Sequence, residues 1–217
     1  VYDGFSLKIT EQAGFKAAAI TGAGVSECHF GWPDHGIMGF EGNLRIARML
    51  AERTEMPLRV DADTGYGNAV TVHFVCRAFE KAGLAAMMIE DQVWPKRCGH
   101  MAGKGVIPTK EMVQKIKSAA DARIDQDFCI MARTDSAAVY GVEDVIDRLC
   151  QFVEAGADIC YADALMTVDD VKTVVEKLRK GNVKVKKNAV VTIQNIVASI
   201  NLGGRIHLEQ AARTLPR

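Results

Sequence analysis

The residues around Cys98 form the most chemically reactive stretch of the sequence. Residues 89–108 read IEDQVWPKRCGHMAGKGVIP, so Lys96, Arg97 and His100 lie within two positions of the cysteine. Neighbouring cations and a histidine can hold a thiolate, or allow a thiol to release its proton near neutral pH. The glycines that follow are typical of a loop that closes over a site. The pattern predicts a catalytic cysteine in a gating loop; the alternative, a buried packing cysteine, would need apolar neighbours that this stretch lacks.

A second group of chemically useful residues consists of carboxylates near predicted strand ends, namely Asp34, Asp61, Asp63 and Glu90. Asp61 and Asp63 are two positions apart, so on a strand their side chains would leave the same face. Carboxylate oxygens suit hard cations, and clustered acids repel one another without one. We therefore predict a Mg²⁺ site, with Mn²⁺ as a second candidate. The alternative is that DADTGYG forms a helix-capping turn, with Asn68 starting the next helix.

Two other strand ends carry groups suited to binding a carboxylate. Arg133 can bind one through two parallel hydrogen bonds, and its alternative role is an ion pair with Asp135 or Glu90. Backbone N–H groups of a small-residue turn can also bind an anion, although a tight turn would need the same glycine for its geometry. The residues of that turn are Thr21, Gly22 and Ala23.

Strands and helices must alternate to position these groups. The apolar patterns predict strands that end near Thr21, Asp61, Glu90, Arg133 and Asp163, and helices over residues 5–13, 42–53, 69–81, 109–123, 142–154 and 168–179. This alternation predicts a parallel sheet, and a spacing of about 30 to 40 residues fits one βα unit. A doubly wound sheet would need a full GxGxxG after the first strand, and only half of it is present. We predict an α/β fold of the (β/α)₈ TIM-barrel type, incomplete at both ends.

Composition limits the range of partners. The 217 residues suit one domain, and 27 basic against 27 acidic residues give no charge pattern for nucleic acid or an anionic membrane. We therefore expect a small-molecule partner. The six cysteines lack CxxC spacing, which indicates reduced thiols and a cytoplasmic protein. An organellar matrix stays open, because the chain starts without methionine and we expect a leading segment to be missing.

Three sequence motifs carry a family resemblance. VDADTGYGN, IEDQVWPKRCGHMAGK and MARTD together resemble the isocitrate lyase and phosphoenolpyruvate mutase superfamily, in its methylisocitrate lyase-like branch, over residues 1 to about 188. The resemblance implies a (β/α)₈ barrel that assembles as a homotetramer and uses Mg²⁺ to hold a 2-oxo or 2-hydroxy acid. It implies that Asp61 ligates the ion, with Asp34, Asp63 and Glu90 holding it directly or through water.

The resemblance also implies roles for the remaining candidates. Cys98 would be the general acid that protonates the carbanion left after bond cleavage, and its tuning residues would be Lys96, Arg97 and His100. Substrate carboxylates would be bound by Thr21, Gly22, Ala23, Arg133 and Asn188. Compared with methylisocitrate lyases, this chain has Ala19 in place of a tyrosine and Asp163 in place of a glutamate. Residues 189–217 form a divergent tail, which we interpret as a seventh helix and an eighth strand.

These observations predict an oxo-acid lyase. It would cleave a carbon–carbon bond of a 2-hydroxy di- or tricarboxylic acid, of the 2-methylisocitrate or 2,3-dimethylmalate type, into a 2-oxo acid and a second carboxylate. One alternative is a different reaction on the same site, either oxaloacetate hydrolysis or a phosphonomutase reaction of the carboxyphosphonoenolpyruvate type. An alternative of another class is a non-catalytic barrel used for assembly.

Overall fold

The computed structural model describes residues 1–99, 101–180 and 190–193. Two predicted site residues, His100 and Asn188, lie outside the described residues, and so does the tail except for one short strand. The predicted seventh helix of the tail lies outside them as well. Within the part of the chain that is described, no helix is long and apolar enough to cross a membrane.

The scaffold is a six-stranded parallel sheet whose strands follow chain order. Its strands are β1 (Ala18–Ile20), β2 (Leu58–Asp61), β3 (Ala86–Glu90), β4 (Cys129–Thr134), β5 (Ile159–Ala162) and β6 (Val190–Ile193). The first five confirm the predicted strand positions. The strand of the tail, β6, pairs with β5 as the sixth strand in sequence. Over residues 1–99, 101–180 and 190–193 the strands form an open arc of an α/β barrel.

Helices follow the strands as predicted, with bounds that agree within three residues. They are α1 (Gly4–Gln12), α2 (Gly22–Val25), α3 (Gly39–Ala51), α4 (Ala69–Lys81), α5 (Thr109–Ala122), α6 (Ala137–Tyr140), α7 (Val142–Ala155) and α8 (Val168–Lys180). The short helices α2 and α6 were not predicted. A π-helical turn (Ser26–Phe30) continues α2, so the segment after Thr21 is helical as far as Phe30.

Capping residues explain where two of the helices begin. Asn68 Oδ1 accepts hydrogen bonds from the backbone N–H groups of Val70 (3.0 Å) and Thr71 (3.3 Å), which caps α4. Asn68 therefore caps the helix, as the alternative interpretation of DADTGYG predicts. The two aspartates of this segment are not needed as caps and can make other contacts. Helix α5 begins at Thr109, as predicted, and Pro108 occupies its cap position without a side-chain hydrogen bond.

The core lies between the outer face of the sheet and the apolar faces of the helices. Its largest fully buried side chains include Phe79 of α4 and Phe152 of α7. The inner face of the arc carries a separate small cluster formed by Met88, Met131 and Tyr161. Side chains of a strand alternate between the two faces of the sheet. The inner face that carries this cluster therefore also carries polar groups at the carboxyl ends of the strands.

Candidate active site

A cavity of about 570 Å³ lies at the carboxyl ends of the strands and extends along the inner face of the arc. Eight of the predicted site residues line it: Thr21, Ala23, Asp34, Asp61, Glu90, Lys96, Cys98 and Arg133. Gly22 lies directly beside the cavity wall, where an added Cβ would be 3.3 Å from Asp61 Oδ2. The arrangement matches the expectation that a barrel concentrates its reactive groups at one rim.

Asp61 lines the cavity, whereas Asp63 is buried and does not, so the pair is not arranged as predicted. Strand β2 ends at Asp61, so the two side chains do not project from one strand face. Instead, Asp61 Oδ1 accepts a hydrogen bond from the N–H of Asp63 (3.1 Å), and Asp63 adopts a positive φ of 48°. Burial raises the pKa of Asp63 to about 6, although Lys96 opposes this shift.

Lys96 of the loop reaches into this acidic cluster, which the sequence alone did not reveal. Its Nζ lies 2.9 Å from Asp63 Oδ1 and forms an ion pair with Asp34. Burial alone would lower the pKa of Lys96, but the surrounding carboxylates raise it instead. In this arrangement, no group of three acidic, histidine or cysteine side chains among the described residues is positioned to hold a metal ion.

Glu90 has a buried carboxylate that is only partly satisfied. Its Oε2 lies 3.3 Å from Nε of Arg133, whereas Oε1 accepts no hydrogen bond from any described residue. Burial raises the pKa of Glu90 well above its usual value, with Arg133 opposing the shift. A buried oxygen without a donor is costly, and a cation would satisfy it. The oxygen donors at this rim therefore fit a hard divalent cation in chemical type.

Arg133 is held by acids that follow its own strand, β4, and the next strand, β5. Its Nε and Nη2 donate to the two oxygens of Asp135 at 2.8 and 2.9 Å, and Nη2 also donates to Asp163 (2.8 Å). The predicted alternative, an ion pair with Asp135, is therefore present. Burial would raise the pKa of Asp135, but Arg133 and Lys104 lower it to about 2. Within the described chain no hydrogen bond uses Nη1, so this nitrogen is available to a ligand carboxylate.

The gating loop, residues 92–106, is anchored on both sides of Cys98. Lys96 binds the acidic cluster on one side. On the other, Lys104 Nζ donates to the Gly99 carbonyl (2.7 Å), to Asp135 (2.7 Å) and to Asp163 (3.1 Å). The side chains of both lysines are almost fully buried. Two buried ammonium groups thus hold the loop over the cavity.

Cys98 is half-buried and lines the cavity, so it is neither a core residue nor a surface one. Arg97 next to it is exposed, and its guanidinium donates to the Ala102 carbonyl (3.3 Å) in the same loop. Its backbone N–H donates to the side chain of Gln92. The structure therefore brings Lys96, and not Arg97, to the predicted site. A tuning role for Arg97 stays a prediction.

The outer side of the gating loop packs against the segment that carries Asp34. The ring of Trp94 covers Gly36 so closely that a Cβ at Gly36 would be 2.2 Å from it. Nδ1 of His35 lies 3.3 Å from the Lys96 carbonyl. Trp94 therefore has a packing role between two loops. The segment around Gly36 is the surface that the closed gating loop contacts.

Beneath the site lies a buried polar network that sequence reasoning missed. Asp91 accepts hydrogen bonds from Thr134 Oγ1 (2.7 Å), the Asp135 N–H (2.9 Å) and Arg148 Nη1 (3.1 Å). Arg148 also donates to the carbonyl of Ile107 (2.9 Å), just past the gating loop. Burial raises the pKa of Asp91 to about 6. Because the network fixes Asp135, it also fixes the guanidinium of Arg133.

Gly99 leaves no room for a side chain in the closed loop. An added Cβ would lie 2.7 Å from Asp163 Oδ2 and 2.8 Å from Arg133 Nη2. Because these atoms are bound to each other, we expect Gly99→Ala to hold the loop open and to lower kcat/KM about 100-fold. Stability should fall by about 1 kcal/mol, because opening the loop breaks the ion pairs of Lys96 and Lys104 while the barrel core is untouched. Steady-state kinetics and thermal unfolding measure the two effects.

Gly105→Ala is the matched control for this variant. Its added Cβ would meet Val93 at 3.5 Å, an ordinary contact in the same loop. Its kcat/KM should stay within a factor of two or three of wild type. Equal losses in the two variants would show that the packing of Gly99 against Arg133 and Asp163 has no special importance.

Comparison with known sequences shows which protein family the chain resembles. The sequence model of a family described as phosphoenolpyruvate phosphomutase matches residues 1–212. The chain is 40% identical over 177 residues to the 2,3-dimethylmalate lyase of Eubacterium barkeri, which covers 82% of the chain. It is 46% identical over 161 residues to a 2-methylisocitrate lyase of Shewanella oneidensis, which covers 74% of it. The chain spans 61% and 55% of the length of these two relatives.

Solved structures are similar over nearly the whole chain. A 2,3-dimethylmalate lyase of the PEP mutase/isocitrate lyase superfamily matches with a TM-score of 0.81 at 30% identity, covering 99% of this chain and 78% of that one. An oxaloacetate acetylhydrolase with bound 3,3-difluorooxalacetate matches with a TM-score of 0.81 at 28% identity, covering 93% and 76%. A phosphonopyruvate hydrolase complex with oxalate and Mg²⁺ matches with a TM-score of 0.73 at 28% identity, covering 93% and 76%.

Proposed function

The chain belongs to the phosphoenolpyruvate phosphomutase family, within the PEP mutase/isocitrate lyase superfamily, and on this premise we propose that it is a Mg²⁺-dependent carbon–carbon lyase. Its substrate would be a 2-hydroxy di- or tricarboxylic acid of the 2-methylisocitrate or 2,3-dimethylmalate type. The products would be a 2-oxo acid and a second carboxylate. The observation that carries the proposal is the position of Cys98, on a loop that closes over a cavity lined by Asp61, Glu90 and Arg133.

We propose that the carboxylate cluster holds Mg²⁺, with Mn²⁺ as a second candidate. Asp61 would be a direct ligand, and Asp34, Asp63 and Glu90 would hold the ion directly or through water. The unsatisfied Oε1 of Glu90 supports this assignment. When bound, the ion supplies electrostatic stabilisation for the alkoxide oxygen of a 2-hydroxy acid during bond cleavage.

The protein's own groups would bind the rest of the substrate and move the proton. Nη1 of Arg133 would hold one carboxylate, and the backbone N–H groups of Gly22 and Ala23, with the hydroxyl of Thr21, would hold another. Asn188 would complete the substrate contacts. Cleavage leaves a carbanion stabilised by its carboxylate, and Cys98 Sγ would give it a proton. The closed gating loop would keep water from competing as the proton donor.

A substrate screen tests the proposal. The protein is incubated with Mg²⁺ and 2-methylisocitrate or 2,3-dimethylmalate, and the 2-oxo product is trapped as a hydrazone. We expect 2-oxo acid to form in amounts equal to the second carboxylate, and chelation of the metal to stop the reaction. If neither acid is cleaved by a folded protein that binds Mg²⁺, the lyase proposal is wrong.

Other reactions at the same site give different products. Hydrolysis of oxaloacetate, the reaction implied by the name of one structural relative, would release oxalate and acetate. A phosphonomutase reaction would require a substrate that contains phosphorus, and phosphorus NMR would detect the rearranged bond. A non-catalytic barrel would turn over none of these acids. We also propose a homotetramer, which light scattering on the purified protein would test.

Lys96 gives a prediction about metal affinity that does not depend on turnover. Its ammonium occupies the acidic cluster, so the ion must displace it or bind beside it. We expect Lys96→Met to bind Mg²⁺ about tenfold more tightly or better, because a competing positive charge is removed. Isothermal titration calorimetry measures this. The exposed Lys117→Met is the matched control and should bind Mg²⁺ as wild type does; weaker binding by Lys96→Met would contradict the competition.

A further inference from the structure

Arg59 is a cation in the barrel interior to which the proposed reaction assigns no role. It lies on β2 two residues before Asp61, so both side chains leave the strand on its inner face. Arg59 is half-buried and lines the same cavity as Cys98 and Arg133. Its partner in register on β1 is Ala19, whose small side chain leaves the space beside the guanidinium open.

The charge of Arg59 has little compensation from the protein. Over the described residues it makes no ion pair, and its only hydrogen bond goes to the Met88 sulfur (3.3 Å), a weak acceptor. In the sequence after Glu176, Glu209 is the single acidic side chain.

Arg59 and Arg133 line the same cavity but differ in how their positive charges are balanced. Arg133 is surrounded by Asp135, Asp163 and Glu90, so its charge is already balanced before a ligand enters. Arg59 shares the cavity, and although the charge of Asp61 acts on it, it forms no ion pair with a described residue. A partly desolvated guanidinium without a counter-ion is unfavourable, and a carboxylate is the anion whose geometry it matches best.

We propose that Arg59 binds a substrate carboxylate distinct from the one held by Arg133. The site then selects acids with a carboxylate-bearing arm long enough to extend from the rim into the barrel interior. This inference rests on the proposed function for the identity of the rim ligand, and it narrows the substrate class toward tricarboxylic acids. Two-carbon acids would bind at the rim alone.

Two unreactive probes test the assignment by calorimetry on the full chain with Mg²⁺. Oxalate is too short to reach Arg59 from the rim, whereas tricarballylate carries a third carboxylate. We expect Arg59→Met to weaken tricarballylate at least about tenfold, or about 1.4 kcal/mol, and oxalate less than twofold. Arg59→Lys should lose only part of the affinity. Arg53→Met, at an exposed arginine, should bind both probes as wild type does.

Each outcome decides the inference. A selective loss of tricarballylate binding supports it, and retained oxalate binding shows that Arg59→Met is folded. Equal loss of both probes, unchanged binding of both, or a wild type that does not bind tricarballylate would overturn it. A protein that binds tricarballylate through Arg59 but cleaves no hydroxy acid would refute the lyase proposal and leave the binding site intact.

Discussion

Replacing Cys98 with serine is expected to lower kcat for cleavage of the hydroxy acid by about 10²- to 10⁴-fold. A serine hydroxyl has nearly the size of the thiol but is a far weaker acid, so the carbanion would lose its proton donor. Because Cys98 lines the cavity beside the anchored part of the loop, substrate and metal binding should remain. Steady-state kinetics gives kcat, and calorimetry with oxalate and Mg²⁺ shows that the site is still formed.

A second cysteine provides the control for this experiment. Cys28 is exposed and does not line the cavity, so Cys28→Ser should keep the wild-type kcat. Solvent deuterium should also slow the wild-type reaction if proton delivery limits the rate, and this effect should change in Cys98→Ser. A serine variant with unchanged kcat would exclude Cys98 as the general acid.

Removing the Asp61 carboxylate should abolish activity by removing the metal. We expect Asp61→Ala to bind Mg²⁺ about 100-fold more weakly or worse, equivalent to about 2.8 kcal/mol. Asp61 lines the cavity and is the carboxylate proposed to ligate the ion directly, so its loss should cost more than the loss of an acid that acts through water. Calorimetry with Mg²⁺ alone measures this loss without any substrate.

Two further variants separate the charge of Asp61 from its structural contact. Asp61→Asn keeps an oxygen that can accept the hydrogen bond from the Asp63 N–H. It should therefore retain the fold and still lose most of the Mg²⁺ affinity. Asp121→Ala, at an exposed helical position, should bind Mg²⁺ normally. Wild-type affinity in Asp61→Asn would mean that the ion is held elsewhere or not at all.

The elements of the fold were predictable because their signals are local. Helix α4 begins after Asn68 and ends before Gly83, and both residues, with the apolar face between them, are legible in sequence. Strand β5 is a short apolar run between two acids, Asp158 and Asp163. Thr21 caps α2 by accepting a hydrogen bond from the Gly24 N–H, but the residues that follow have no apolar period and include two glycines, and therefore α2 and the π-helical turn could not be predicted.

The site was predictable only as a set of residues at one rim. Their partners depend on contacts between distant positions: Lys96 and Asp34 are 62 residues apart, and Lys104 and Asp135 are 31 apart. Residue type and spacing carry no information about such pairs. The sequence therefore identified the carboxylates, the cysteine and Lys96 as candidates, but not the contacts of Lys96 with the acids or the Asp91 network beneath them.

The contact between Trp94 and Gly36 places an indole where it can report on the loop. The chain has two tryptophans, and the other, Trp32, stacks on Phe30 at 5.3 Å outside the loop. A Trp32→Phe variant would keep Trp94 as a single emitter. The ring is half-exposed in the closed loop, so lifting it from Gly36 would expose its remaining face and should change its fluorescence. Stopped-flow emission could therefore time each opening and closing event without a label and without catalysis.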